Sequence, residues 1–426
     1  MKPFTRFRMV AVMLALVLGT GSVVQAAAVT SNGIAAQVVT NTVAEWPVGP
    51  ETISETAVLL DADTGAVLYD KGKDEIRYPA SITKIMALLV AVENSSLDEQ
   101  VVFTETGIRD VTPDSGNIGM QLGEVMSMED CLQAMIIYSA NEVSAQVAEH
   151  VGGTEERFIQ MMNEKAAALG CKNTNFCNAS GLPDDNHYST AYDMALIMQA
   201  GLKNETFCQI LGTADYTIPA TNLSAAKKMH THLPLFAPES PFYYDGCIGG
   251  KTGYTFAAMN TLVTAARRNG KTYIAVALRA SELGQNCIDC RALFDYAFGQ
   301  FEQIETEGVG VLTVPLGITK EKLEVQSLEQ NGQNISNYYL NGQFVGSVTA
   351  KLTPTPTPEP TPQPESVPEL TEEIGDASEE PLYQEENQSG LSQTAKVLLC
   401  IMAGMLVLLM ILLIALIIKQ KKRNRI

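Results

Sequence analysis

A chain of 426 residues with 48 acidic against 29 basic side chains carries a formal charge of −19. Such a balance argues against a nucleic-acid-binding protein, whose phosphate-facing surface is basic. The length allows one large domain with accessories or two ordinary domains. Eight cysteines are present, one of them (Cys400) in a long apolar run near the end, and the remaining seven are an odd number for a disulfide framework.

Residues 1–28 start with Lys2, Arg6 and Arg8, run apolar from Met9 to Leu18 and finish in Gln25-Ala26-Ala27-Ala28. A basic start, a short apolar middle and a small-residue exit form the pattern of a secretory signal peptide. Residues 29–50 read as a polar leader. The run from Ala57 to Tyr69 predicts two strands around an Asp/Gly turn. Pro79 precedes a helix expected from about Ser81 to Val92, and the stretch 95–235 is expected to be mostly helical, with helices near 128–138, 142–151, 154–168 and 190–201.

Gly249-Gly250 leads into a strand expected from Lys251 to Thr255. Thr261–Ala266 and Thr272–Leu278 flank Asn269-Gly270, the commonest tight hairpin turn. A helix around Asp289 to Phe301 closes a principal domain over 51–301. Strands at both ends with helices between them predict an α+β plan: one antiparallel sheet flanked by helices, with a helical subdomain. Short alternating runs over 302–350 predict a small β module.

Residues 351–394 contain Thr353-Pro354-Thr355-Pro356 and, from 352 on, many Asp and Glu but no Lys or Arg. This composition predicts an extended, self-repelling linker. The segment 395–418 is apolar and uncharged from Val397 to Ile418, long enough to cross a bilayer as a helix, and the basic tail 419–426 should stay cytoplasmic. The expected arrangement is an extracytoplasmic body tethered to the membrane by one C-terminal span.

Most chemical signatures are missing. The four histidines are His150, His187, His230 and His232, and no Gly-x-Ser-x-Gly elbow supports a Ser-His-Asp hydrolase. His230-Thr231-His232 lacks an accompanying HExxH and reads as surface or satisfied histidines. Cys287 and Cys290 form a CxxC with no second pair to complete a zinc site, so they read as buried thiols or one local disulfide. No phosphate-cradling glycine loop occurs.

Three short motifs remain. In Ser81-Ile82-Thr83-Lys84 the serine and lysine share one helix face, so the amine can reach the hydroxyl, and a helix N-terminus favours developing negative charge. Alone, the plain alternative is a helix cap. A second copy, Ser224-Ala225-Ala226-Lys227, lies in polar, unpatterned sequence. Ser139-Ala140-Asn141 follows an apolar helix and precedes another, a junction that projects polar side chains into a cleft. Its competitor Ser115-Gly116-Asn117 sits in a Gly- and Pro-marked loop that a turn explains. Lys251-Thr252-Gly253 occurs once, on a predicted strand where Lys and Thr could grip a carboxylate, the alternative being an exposed edge-strand lysine.

With SxxK, SxN and KTG in this order, each on the element it needs, the chain resembles the penicillin-recognising serine enzymes. More narrowly it looks like the D-alanyl-D-alanine carboxypeptidases, the low-molecular-mass penicillin-binding proteins. Further supporting stretches are Tyr78-Pro79-Ala80, Ala148-Glu149-His150-Val151-Gly152-Gly153, Asn178-Ala179-Ser180-Gly181-Leu182, His187 to Asp193, and Tyr254-Thr255 after the KTG. The resemblance covers about 50–300 and implies a serine β-lactamase/penicillin-binding-protein-like fold.

It further implies that Ser81 attacks the penultimate D-Ala carbonyl of a peptidoglycan stem peptide ending in D-Ala-D-Ala, with neutral Lys84 as its base. Ser139 would relay the proton to the leaving amine, and Asn141 would orient Lys84 and the substrate amide. Lys251 and Thr252 would bind the terminal carboxylate, Gly253 would join Asn141 among the substrate-binding residues, and the backbone N–H groups of Ser81 and Tyr254 would form the oxyanion hole. No metal or cofactor is implied, and β-lactam antibiotics become covalent inhibitors. His187 and Asp193 match a family segment as helix-entry and packing positions. Departures are Ala140 at the variable middle of SxN, a shorter module after 301, and a full membrane span where amphipathic anchors are common in the family. A class A β-lactamase would need a Glu-x-x-Leu-Asn stretch between Ser139 and Lys251, and none is there. A non-catalytic scaffold would have lost the nucleophile or base, and both are present.

Overall fold

Val58 and Leu60 point into one apolar core and Ala57 and Leu59 into another, so the first strand is buried on both faces. That is why it reads as a continuous apolar run and not as an alternating one. The computed structural model describes residues 36–112, 115–330 and 333–350. The expected signal peptide, linker, membrane span and basic tail, with residues 29–35 of the leader, lie outside the described residues.

In chain order the elements are β1 (Thr56–Asp61), β2 (Val67–Lys71), a 3-10 turn (Ala80–Thr83) opening into α1 (Lys84–Asn94), β3 (Gln100–Val102), α2 (Glu105–Ile108) and β4 (Val125–Ser127). Next come α3 (Met128–Gln133) with a π-helical continuation (Ala134–Tyr138), α4 (Asn141–Gly152), α5 (Glu155–Ala168), α6 (Ala191–Gly201) and α7 (Glu205–Leu211). The chain continues through β5 (Asp215–Ile218), β6 (Lys227–His230), β7 (Cys247–Thr255), β8 (Met259–Arg268), β9 (Lys271–Ala280) and α8 (Gln285–Gln300). Five further strands follow: β10 (Phe301–Glu305), β11 (Val311–Pro315), β12 (Glu324–Gln330), β13 (Gln333–Leu340) and β14 (Gln343–Thr349).

The main sheet has the order β2-β1-β9-β8-β7 and is antiparallel throughout. The N-terminal hairpin therefore docks onto β9, as the α+β reading expects. Helices α1 and α6 cover one face and α8 the other, so the sheet is sandwiched between two cores. Strand β7, at the sheet edge, runs beside the turn that opens α1.

Several details differ from the sequence expectations. The helix expected from Ser81 begins as a 3-10 turn, with Ala80 at φ +53°, and α-helical bonding starts only at Lys84. The middle contains α7 and two short hairpins, β3–β4 and β5–β6, whose three- and four-residue strands are too short for a periodic signal. The leader is not uniformly polar in its role: Trp46 is buried and donates Nε1–H to Leu68 O at 3.0 Å. The β module has no core of its own, since Leu312, Val314, Leu340 and Val345 join the core under α8. Cys287 and Cys290 are free thiols buried there as well.

Candidate active site

Ser81 and Lys84 occupy positions i and i+3 of the 3-10 turn and its first α-helical residue. Three residues per turn places such side chains directly above one another, and Lys84 Nζ lies 3.2 Å from Ser81 Oγ. Lys84 is fully buried. Its other two partners are Asn141 Oδ1 at 2.6 Å and the backbone oxygen of Ser180 at 2.7 Å. As an ammonium it donates to all three. As a neutral amine it keeps two N–H donors for the two carbonyl-type oxygens, which can only accept, and its lone pair faces the one partner with a proton to give, the Ser81 hydroxyl.

Burial pushes the Lys84 amine well below the usual ammonium range, and the charge of Lys251 pushes it further, against a smaller opposing pull from Glu142 and Asp110. Lys251 is itself buried at the cleft wall and is lowered to about 7 by burial. Its amine donates to Thr252 O at 2.9 Å. The charge of Lys251 thus disfavours protonation of Lys84, and among the described residues no carboxylate is a hydrogen-bond partner of Lys84.

Two glycines bring the backbone close to Ser81. A Cβ on Gly181, at φ +86°, would stand 1.9 Å from Ala80 O, and one on Gly253 would stand 2.8 Å from Ser81 N. Strand β7 and the 178–182 loop therefore clamp the Ala80–Ser81 peptide from two directions. Asn178 shapes that loop: its Oδ1 accepts from the backbone N–H groups of Ser180, Gly181 and Leu182 at 3.2, 2.7 and 3.1 Å. This turn is what aims the Ser180 oxygen at Lys84.

Ser139 ends the π-helical stretch in the left-handed conformation, φ 62°. It lines two lobes of one cleft that meet at Ser81. One lobe, of about 460 Å³, is bounded by Lys251, Thr252, Tyr254 and His232. The other, of about 330 Å³, is bounded by Ser115, Asn141, Leu182 and Thr255. These sizes suit a peptide end. All eight residues singled out from the sequence, Ser81, Lys84, Ser139, Asn141, Lys251, Thr252, Gly253 and Tyr254, border this cleft or pack on its nucleophile.

Other placements were not legible in advance. Ser115, set aside as a turn, accepts a hydrogen bond from Asn141 Nδ2 at 2.8 Å. His232, read as a surface or satisfied histidine, lines the Lys251 lobe and packs on Tyr138 with ring centroids 5.0 Å apart. Its neighbour His230 is an exposed ion-pair partner of Asp215 and Glu239. The second SxxK copy is elsewhere in its bonding: Ser224 meets Gln121, and Lys227 donates to Ile118 O. His187 is buried, with Nε2 bonded to Thr83 Oγ1 at 2.8 Å and Nδ1 accepting from Cys177 N at 3.1 Å.

A buried lysine held on a serine hydroxyl, with a second buried lysine on the edge strand of an antiparallel sheet flanked by helices, is a site and fold of the penicillin-binding-protein type. A family model described as D-alanyl-D-alanine carboxypeptidase matches residues 41–282, more than half of the chain, and the chain belongs to that family. The D-alanyl-D-alanine carboxypeptidase DacF of Bacillus subtilis is 36% identical over 254 residues, 58% of this chain and 63% of the relative. The chain thus aligns with just under two thirds of that relative's length. DacB2 of Mycobacterium tuberculosis, another D-alanyl-D-alanine carboxypeptidase, is 31% identical over 58% of this chain and 84% of its own. Among solved structures, penicillin binding protein 5 of Haemophilus influenzae superposes with a TM-score of 0.61 at 25% identity, covering 71% of this chain and 97% of that one.

Proposed function

We propose that this protein is a serine-type carboxypeptidase that removes the terminal D-Ala from peptidoglycan stem peptides through an acyl-enzyme, and that penicillins block it by acylating the same serine. The observation that carries the reading is the position of Lys84, buried, with no carboxylate partner among the described residues, and held between Asn141 Oδ1 and Ser180 O with its third direction towards Ser81.

In the acylation step Ser81 Oγ bonds to the penultimate D-Ala carbonyl carbon while its proton passes to Lys84. The oxyanion is received by the backbone N–H groups of Ser81 and Tyr254, donors of a kind that contribute a few kcal/mol. The C–N bond then breaks, the amine of the terminal D-Ala takes a proton by way of Ser139, and water hydrolyses the ester. Lys251 and Thr252 hold the substrate's carboxylate, which accounts for action at a free C-terminus. The acids, bases and donors in these steps are side chains and backbone N–H groups of this chain, with water as the deacylating nucleophile.

The test is incubation of the full-length protein in detergent with diacetyl-Lys-D-Ala-D-Ala and with a labelled penicillin, followed by mapping of the adduct. D-Ala release and label on Ser81 are expected, both lost in Ser81→Ala. Label on Ser224, or fast antibiotic turnover without D-Ala release, overturns the reading.

The same proposal places the enzyme outside the cell, exported by residues 1–28 and anchored by residues 395–418. The apolar run from Val397 to Ile418 followed by Lys419, Lys421, Lys422, Arg423 and Arg425 supports it. Truncation after residue 394 should release the protein from the membrane fraction. Retention there would remove the C-terminal anchor from the account.

A further inference from the structure

The chain contains two Ser-x-Asn triplets, and folding brings them together. Ser115 Oγ accepts from Asn141 Nδ2 at 2.8 Å, and Gly116 O accepts from Asn141 N at 2.7 Å. Two residues on, Ile118 N donates to the buried Glu142 Oε1 at 2.7 Å, and Lys227 Nζ donates to Ile118 O at 2.8 Å. Residues 115–118 are therefore bonded to the first turn of α4 at three points. A Cβ on Gly116 would stand 3.1 Å from Ser139 O, so the segment lies tight against the true SxN backbone.

The carboxamide of Asn141 is the link. Its oxygen holds Lys84 Nζ at 2.6 Å on one side while its nitrogen is held by Ser115 on the other. The terminal torsion of an asparagine is an sp³–sp² bond with a broad, nearly two-fold profile, so its rotamer alone does not fix the amide plane. Partners at both ends do. With Ser115 removed, the amide is tethered at one end and the donor on Nδ2 loses its acceptor inside the protein, a cost comparable to a net hydrogen bond.

We propose that Ser115 is a positioning residue of the acylation step: it fixes the Asn141 carboxamide from the side opposite Lys84 and thereby holds the Lys84 amine on Ser81. This rests on the carboxypeptidase reading of the site. Ser115 also borders the lobe shared with Ser81 and Ser139.

The experiment measures penicillin acylation rate, and kcat and KM for D-Ala release, in the full-length protein and in Ser115→Ala, Ser115→Thr, Asn141→Ala and the double variant Ser115→Ala/Asn141→Ala. Ser115→Ala should slow acylation by about tenfold or more and lower kcat with KM nearly unchanged. Ser115→Thr, which keeps the acceptor, should restore most of the rate. In the Asn141→Ala background the loss of Ser115 should have no further effect, because the two residues act as one unit. An unchanged rate in Ser115→Ala, or additive losses in the double variant, overturns the proposal. If Ser115→Ala fails to fold, Ser115→Cys keeps the volume with a poor acceptor and is read the same way. A wild-type protein that forms no adduct on Ser81 refutes the carboxypeptidase reading instead, so the two failures are separable.

Discussion

The backbone oxygen of Ser180 accepts a hydrogen bond from Lys84 Nζ at 2.7 Å across 96 residues of sequence. Together with Asn141 Oδ1 it occupies the two donors of a neutral amine, and this leaves the lone pair for Ser81. The Lys84 amine is therefore aimed by one side chain and one peptide group, neither of which titrates.

The role of that aimed amine is tested by Lys84→Arg. A guanidinium keeps the positive charge and reaches the same acceptors, but it does not deprotonate at working pH. The expected result is a fall in acylation rate of about 10²–10⁴-fold, the range a general base contributes, with the fold intact by circular dichroism. Retention of more than about a tenth of the wild-type rate would show that Lys84 serves as a structural cation.

The pH dependence follows from the two lysines. Lys84 must be neutral to act, so kcat/KM should fall on the acid side as it is protonated. Lys251 must be charged to hold a carboxylate, and burial lowers it to about 7, so kcat/KM should also fall as pH rises through that value. In the complex the substrate's carboxylate favours the ammonium, and the profile of kcat should extend further towards alkaline pH. Lys251→Arg, charged throughout, should shift the alkaline limb of kcat/KM upward. An alkaline limb that does not respond to this substitution belongs to another group.

Gly181 has no room for a methyl group. With a Cβ position 1.9 Å from Ala80 O and φ at +86°, Gly181→Ala must displace the peptide that carries the Ser81 N–H. We expect a loss of about 2 kcal/mol or more in stability and a disproportionate loss of penicillin acylation in the fraction that remains folded. Both are readable from one denaturant titration with active-site labelling. Wild-type acylation in that fraction would mean that the loop moves without disturbing the nucleophile.

His187 makes the fold sensitive to acid. Burial lowers its imidazole to about 4, against an ordinary 6.5, and the nearby Asp184 offsets this only in part. Between those two values the unfolded chain binds a proton that the folded one refuses. Stability from this residue is therefore complete above pH 6.5 and is lost as pH falls towards 4, by about 3 kcal/mol over the window. Chemical denaturation from pH 7 to 4 should show this slope in the wild type and a flatter one in His187→Gln. Parallel slopes would place the acid sensitivity in other groups.

The amino-acid sequence by itself determined the order SxxK, SxN, KTG, the elements that carry them and the pairing of an N-terminal hairpin with C-terminal strands. The motifs and their elements are local properties (residue identity, apolar periodicity, and turn chemistry at Asn269-Gly270), and the pairing follows from strands at both ends of a helical middle sharing one sheet. It also separated Ser81 from Ser224 and Ser139 from Ser115 as candidates for direct chemistry. The tertiary structure alone decided that the rejected Ser115 backs Asn141, that His232 faces Lys251's lobe while His230 turns outward, and that a Ser180 carbonyl holds Lys84. The physical reason is that a peptide oxygen carries no residue signature. The lowered proton affinity of Lys251 is likewise set by burial, and that of Lys84 by burial and the nearby charge of Lys251, which exist only once sequence-distant segments have packed together.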